Sequence, residues 1–160
     1  MAQKILIFNI IILILLLSNN ILIAKTIIGA AIIIDGDTVH INSNKIRLHG
    51  IDAPEIKQNC IFKKKNWSCG KQSTIELKKL INDRIIKCIV NNIDIYNRYV
   101  GICSVNGIIL NQLMVKKGWA LAYRYYSRDY VIEEKFARDN KLGIWKGEFE
   151  NPYIYRKKNN

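Results

Sequence analysis

The stretch DGDTVHINSNKIRLHGIDAPE, residues 35–55, gathers four of the chain's 13 acidic side chains, Asp35, Asp37, Asp52 and Glu55, around Arg47. The whole chain of 160 residues carries 25 Lys and Arg and a formal net charge of +12, so these carboxylates collect against the trend. Thr38–Asn42 and Lys45–Ile51 read as the strands of a hairpin around Ser43-Asn44. That pairing sets Ile41 opposite Ile46 and Val39 opposite Leu48, giving one apolar face. Extended outward, it sets Gly50 opposite Asp37 and Asp52 opposite Asp35, with Asp37 on the diagonal. Carboxylates drawn together in this way repel unless a cation sits between them or one takes up a proton. "DG" and "DAP" are also ordinary turn and loop sequences, and either alone would carry no more than that. Both fall at one end of one hairpin with an arginine between, which points to a cation site. Its ligands are hard oxygens, suited to calcium, magnesium or manganese rather than zinc or copper. Pro54 holds Ala53 extended and so fixes the direction of the Ala53 carbonyl, a further ligand. Two full carboxylates make a weak, partly hydrated site that a substrate phosphate would complete.

At 49% hydrophobic residues the chain is globular rather than disordered. Its basic excess says nothing about fold; it suits a polyanionic partner, nucleic acid or an anionic membrane, and equally a merely soluble basic protein. Lys4 followed by the apolar run Ile5–Leu17, broken only by Asn9, is short for a membrane span and suits a signal-peptide core. Residues 1–24 are therefore read as a signal peptide. Leu22, bulky for its place before a cut at Ala24, leaves an uncleaved N-terminal membrane anchor as the alternative. A domain over 25–148 and a basic C-terminal tail over 149–160 follow. The protein is expected to be exported, periplasmic or secreted, and monomeric, with a membrane tether only if the segment is retained.

Four cysteines, Cys60, Cys69, Cys88 and Cys103, lie beyond that segment, and an even number in an exported chain suggests two disulfides. A zinc site competes, but no pair has Cys-x-x-Cys spacing and neither histidine adjoins a cysteine. Ile85–Ile93 and Arg98–Val105 read as a second hairpin, and a turn over Asp94–Asn97 places Cys88 directly opposite Cys103. Cys60 then remains for Cys69 within the polar stretch Lys57–Cys69, which reads as a loop.

Elsewhere, Thr26–Ile34 reads as a buried strand ending at Asp35-Gly36, and Asn106-Gly107 as a turn. Ser73–Asn82 reads as a helix, with Ser73 and Glu76 at capping-box spacing. Leu110, Leu113 and Met114 mark a short helix stopped by Gly118, and Asp129–Asn140 a third, with Val131, Ile132 and Phe136 as its apolar residues. Five strands and three helices in this order give an α+β, mainly β chain, a five-stranded OB-type barrel.

Taken in order, "DGDT", "RLHGIDAPE", "YNRYVG", "LMVKKGWALAYRYY" and "LGIW" resemble the thermonuclease (staphylococcal nuclease-like) family, from about Ile27 to Trp145. The resemblance implies an OB-type barrel and a calcium-dependent phosphodiesterase that cleaves DNA and RNA. By it, Asp37 and Asp52 are the metal carboxylates, and Ala53, in place of a threonine, binds metal through its backbone carbonyl. Glu55 is the carboxylate beside the attacking water, and Arg47 and Arg98 are the phosphate-clamping arginines. Tyr96 resembles a phosphate-contacting tyrosine, and Tyr123 and Tyr125 residues that lie against the nucleotide. Aromatic faces stack on bases regardless of sequence, as a nonspecific nuclease needs. Arg98 also lies within reach of Asp94, and simple pairing there is the plainer reading. Asn97 stands where the family has glycine, and Ile95 where a well-known member has lysine. Trp119 and Trp145 read as core, and His40 and His49 as strand-face residues. The alternative function is a non-catalytic OB-fold module that binds single-stranded nucleic acid; the presence of Arg47, Glu55 and Arg98 together favours the enzyme.

Overall fold

The structure, a computed structural model, describes residues 25–159; the segment 1–24, read as signal peptide or anchor, lies outside the described residues. No helix among the described residues is long and apolar enough to cross a membrane.

The N-terminal strand bends at Ala30 into β1 (Lys25–Gly29) and β2 (Ala31–Ile33), followed by β3 (Thr38–Ile41), β4 (Asn44–Leu48) and the short β5 (Ile51–Asp52). Next come β6 (Cys60–Phe62), β7 (Lys65–Trp67), helix α1 (Cys69–Ile81), β8 (Ile86–Ile93), β9 (Tyr99–Val105) and β10 (Ile108–Ile109). Helix α2 (Leu110–Lys116), β11 (Leu121–Ala122), α3 (Val131–Asp139), a 3-10 turn over Gly143–Lys146 and α4 (Pro152–Asn159) complete the described chain. The main sheet runs β1-β8-β9-β4-β3-β2, with β4 and β9 parallel. Because β1 and β2 are two halves of one bent strand, they occupy both edges and curl the sheet into the expected OB-type barrel. Val39, Ile41, Ile46, Leu48, Ile86 and Cys88 fill its interior, closed by Leu77, Ile81, Leu110 and Met114 of α1 and α2. The first strand is one-sided rather than buried throughout: Ile27 points inward, while Ile28 and Ile32 are exposed.

Two registers differ from the simplest reading. The β3–β4 turn is Asn42-Ser43, not Ser43-Asn44, so Val39 faces Ile46 and Ile41 faces Asn44. Asn42 adopts left-handed backbone (φ 54°), which asparagine tolerates better than serine. A shift of two keeps the same face inward, so the apolar face over Val39, Ile41, Ile46 and Leu48 is as expected. In the second hairpin the Asp94 N–H donates to the Arg98 carbonyl (2.9 Å), and Asn97 takes the left-handed backbone (φ 58°) expected of it in place of glycine. Ile93 faces Tyr99, and a bulge between Val90 and Asn92 then shifts the register so that Cys88 faces Cys103.

Cys88 and Cys103 are joined across the strands with Cα atoms 4.0 Å apart, and Cys60 and Cys69 are joined with Cα atoms 5.6 Å apart. The Lys57–Cys69 stretch is not a loop throughout: β6 and β7 pair as a hairpin, Cys60 facing Trp67. Its turn residues, Lys63 (φ 50°) and Lys64 (φ 62°), hold left-handed backbone without the Asn or Gly that would signal it. Helix α1 starts five residues earlier than the capping-box spacing implies, with Ser68 in place of Ser73 at the N-cap position and Cys69 and Gly70 buried in its first turn. Ser73 therefore lies inside the helix and donates to the Trp119 carbonyl (2.7 Å) instead of capping. In α3 the buried residues are Glu134 and Ala137; Ile132 and Phe136 are exposed.

Replacing Cys88 and Cys103 together by serine should lower unfolding stability by about 3 kcal/mol, the chain-entropy value for a loop of this length. Denaturant titration of wild type and double variant measures it, and peptide mapping of unreduced protein should yield the links 60–69 and 88–103.

Candidate active site

The site lies where the Asp35–Asp37 turn, the end of β4 and the β5 segment converge. The Asp35 carboxylate accepts the Asp37 N–H (3.0 Å), a local bond that shapes the turn. Gly36 is required there, since a Cβ would come 2.1 Å from Ser73 Oγ and 2.6 Å from Ala53 Cβ. Asp37 is buried, accepting the Ala53 N–H at Oδ2 (2.9 Å) and the Thr38 hydroxyl at Oδ1 (3.1 Å). Asp52, also buried, pairs in β5 with Leu121 of β11; it does not lie opposite Asp35 as hairpin extension suggests. What joins the two acids is Arg47: Nη1 donates to Asp37 Oδ1 (2.8 Å) and Nη2 to Asp52 Oδ1 (3.0 Å). One planar fork thus bridges two carboxylates, one on the turn before β3 and one on β5.

Glu55 stands beside them on a turn closed by Gln58, whose N–H donates to the Glu55 carbonyl (2.7 Å) and whose Oε1 accepts the Glu55 N–H (3.2 Å). Gly70 packs so closely that a Cβ would lie 1.6 Å from the Glu55 carbonyl oxygen. Glu55 is half-buried, at 32% side-chain exposure against 2% for Asp52. A second guanidinium reaches these acids from the far end of the chain. Arg156 of α4 donates through Nη2 to Asp52 Oδ1 (2.6 Å) and through Nη1 to Glu55 Oε1 (2.8 Å). The segment expected as a basic tail is therefore a docked helix. Nothing in "YIYRKKN" distinguishes Arg156 from its basic neighbours, so sequence reading missed it; buried Gln58, which anchors Glu55, was missed likewise.

The electrostatics record an excess of negative charge. Burial, reinforced by the charges of Asp37 and Glu55, pushes the Asp35 carboxyl up to about 7. Burial and Asp37 also raise Asp52, against the pull of Arg156 and Arg47. Burial works against the Arg47 charge, yet Asp37 and Asp52 outweigh it and hold the guanidinium more firmly protonated. Even with Asp35 partly neutralised, the carboxylates outnumber the two guanidiniums, and the buried Asp52 Oδ2 has no hydrogen-bond partner. This oxygen-only, electron-rich set fits a hard divalent cation. No group of three or more His, Cys, Asp or Glu side chains among the described residues surrounds a single metal position. Backbone oxygen and water would have to complete the coordination.

Of the remaining candidates, Tyr123 lies near Asp52, Arg156 and Arg47, whereas Tyr96 lines a hollow with Ser43, Asn44 and Lys45 at the opposite end of β4. Arg47 pairs with Val100 of β9, so Arg98, two residues earlier, belongs to the same side of the sheet. Arg98 is held by Asp94, Nε at 2.8 Å and Nη2 at 2.7 Å, the plainer pairing that its sequence also allows. Burial raises the Asp94 carboxyl, but the Arg98 side chain and the Arg98 and Tyr96 amides outweigh it and hold it below its ordinary value. Tyr96, exposed on this turn, lies with its ring 5.3 Å from the Arg98 guanidinium. Tyr123 is half-buried and meets exposed Tyr125 at a tilt and exposed Tyr126 edge-on, ring centroids 6.3 and 5.1 Å away. Trp119 packs against the main core and Trp145 against a smaller cluster with Cys60, Cys69 and Ile144. His40 is in β3, whereas His49 is in the turn after β4, 3.9 Å from Asp129.

A family described as staphylococcal nuclease homologue matches residues 45–147. Among individual relatives, the succinoglycan biosynthesis protein ExoI of Rhizobium meliloti is 31% identical over 141 residues, covering 86% of this chain and 74% of its own length. An uncharacterized endonuclease of Escherichia coli O157:H7 is 32% identical over 132 residues, 78% of this chain and 80% of its own. The probable staphylococcal-like nuclease CAN2 of rice is 32% identical over 124 residues, 76% of this chain but only 31% of its own length. With that match over most of its length, and the barrel and carboxylate site just described, the chain belongs to the family of staphylococcal nuclease homologues.

Proposed function

We propose that the chain is an exported, calcium-dependent phosphodiesterase that hydrolyses DNA and RNA with little sequence specificity. The observation that carries this reading is the pair of buried acids, Asp37 and Asp52, bridged by Arg47, with an unpartnered oxygen on Asp52 and Glu55 alongside. Relatives named as nucleases and an endonuclease support phosphodiester hydrolysis. The two disulfides support an oxidising, exported setting.

In this reading Asp37, Asp52 and the Ala53 carbonyl hold the cation, which when bound neutralises phosphate charge and polarises the phosphoryl group. Arg47 is fixed by its two acids with its fork at the site, where it binds phosphate oxygens as charge builds on them. Arg98 is the second clamp, shared between Asp94 and the substrate. Glu55, more exposed than Asp52, accepts a proton from the attacking water or orients it. Tyr123 and Tyr125 offer ring faces to bases, and Tyr96 its hydroxyl to a phosphate. None of these contacts reads base identity, which matches low sequence specificity.

Cleavage of single-stranded DNA should require calcium and be abolished in Asp37→Ala and Asp52→Ala, circular dichroism showing the fold retained; full activity in excess chelator would overturn the reading. Arg47→Lys and Arg98→Lys keep the charge but lose the fork, so each should lower kcat by roughly 10²-fold. A rise in KM alone, measured in the same assays, would assign them to binding only. Substrate affinity should fall steeply with salt, as counterion release demands. A flat plot of log affinity against log salt would remove the basic surface from the mechanism.

A further inference from the structure

Helix α4 brings one of the protein's own cations onto the carboxylates assigned to the metal. It is not a loose tail. Pro152 is buried at its first position and Asn151 Oδ1 accepts the Tyr153 N–H (2.9 Å). Buried Gln58 donates through Nε2 to the Glu150 carbonyl (2.7 Å), and the Tyr155 hydroxyl donates to the Lys57 carbonyl (3.4 Å). Docked in this way, α4 sets Arg156 on Asp52 and Glu55 and lays the Tyr153 ring 6.4 Å from that of Tyr123. It covers in one move the carboxylates and an aromatic face offered to a nucleotide. The helix lies beyond residues 45–147, which the family match spans.

Arg156 and a divalent cation compete for the same carboxylate, that of Asp52. Asp52 Oδ1 already accepts from both Arg47 and Arg156, leaving the partnerless Oδ2 as its only unused oxygen. A hard cation binds carboxylate oxygen at about 2.3–2.6 Å. A guanidinium hydrogen-bonded to the same carboxylate would then face two further positive charges at close range. Arg47 is anchored besides by buried Asp37, whereas the other partner of Arg156 is the more exposed Glu55, so Arg156 is the one that yields. The exchange is feasible because α4 is short, its last turn carries Arg156, Lys157 and Lys158, and its other residues are mostly exposed. Such a helix has little stability apart from its docking contacts.

We propose that Arg156 sets the cation affinity of the site: in the cation-free protein its guanidinium occupies Asp52 and Glu55, and it must withdraw before a divalent cation binds there. This rests on the metal-dependent reading above. Calorimetric titration of the full chain with calcium alone tests it, comparing wild type, Arg156→Gln, Arg156→Lys and a chain ending at Asn151. Arg156→Gln and the shortened chain should bind calcium about tenfold more tightly, a modest competition of the size of one buried hydrogen-bonded pair. Arg156→Lys, which keeps the charge but loses the fork, should fall between wild type and Arg156→Gln. Calcium should also speed trypsin cleavage after Arg156 and Lys157 several-fold in the wild type, as the helix lets go. Equal or weaker calcium binding by Arg156→Gln, where wild type and not Asp52→Ala binds the ion, overturns the competition alone. Absence of calcium binding in wild type and Arg156→Gln alike overturns the metal-dependent reading and this proposal with it.

Discussion

The guanidinium of Arg47, held between Asp37 and Asp52, is the constraint on which the site depends. Each acid is buried, and each would repel the other without a cation between them. Arg47 is delivered by β4, Asp37 by the turn before β3, and Asp52 by β5, so one side chain ties three segments. A lysine is a single point charge and could not satisfy two carboxylates in one plane. The same fixation that stabilises the cluster orients the guanidinium for an incoming anion. Stability and chemistry therefore call for the same residue.

Around this centre, buried polar side chains do the positioning. Gln58 links the Glu55 turn to the C-terminal helix, and Glu134 accepts the Ala122 N–H (3.0 Å) while pairing with Arg124. Asn111 donates to the carbonyls of His49 (2.9 Å) and Gly101 (3.2 Å) and accepts the Cys103 N–H (3.0 Å), fixing α2 against the parallel β4–β9 junction. Each satisfies backbone groups that the barrel's irregular joints would otherwise leave buried and unpaired. Single glutamines and asparagines look alike in a sequence whether they meet water or a buried carbonyl, so none of these roles was legible there.

The alternation of apolar residues was enough to find the barrel strands, because one face of each must be dry. It could not fix the β3–β4 register, since a slip of two leaves Val39, Ile41, Ile46 and Leu48 inside in either case. The cysteine pairing was legible from the hairpin even though the turn and the bulge each displace the register by one residue, because the two displacements cancel before Cys88. The carboxylate cluster was legible from crowding of like charge, though Asp52 arrives by pairing with β11 rather than across the hairpin. Arg156 was not legible, for its contacts span 101 and 104 residues and depend on a helix whose sequence is polar and basic.

The bent first strand has a further consequence, for the order in which the chain can assemble. Lys25–Gly29 pairs with Ile86–Val90, and Ala31–Ile33 with Val39–Ile41, so this one segment has a near partner and a distant one. The β3–β4 and β8–β9 hairpins close short loops and cost little entropy to form. The parallel seam between β4 and β9 bridges a long intervening stretch and has to wait for both. The first half of the bent strand has its partner in β8, far along the chain, while the second half closes a short loop onto β3. The two ends of one strand thus carry unequal loop-closure costs, the smaller onto β3 and the larger onto β8.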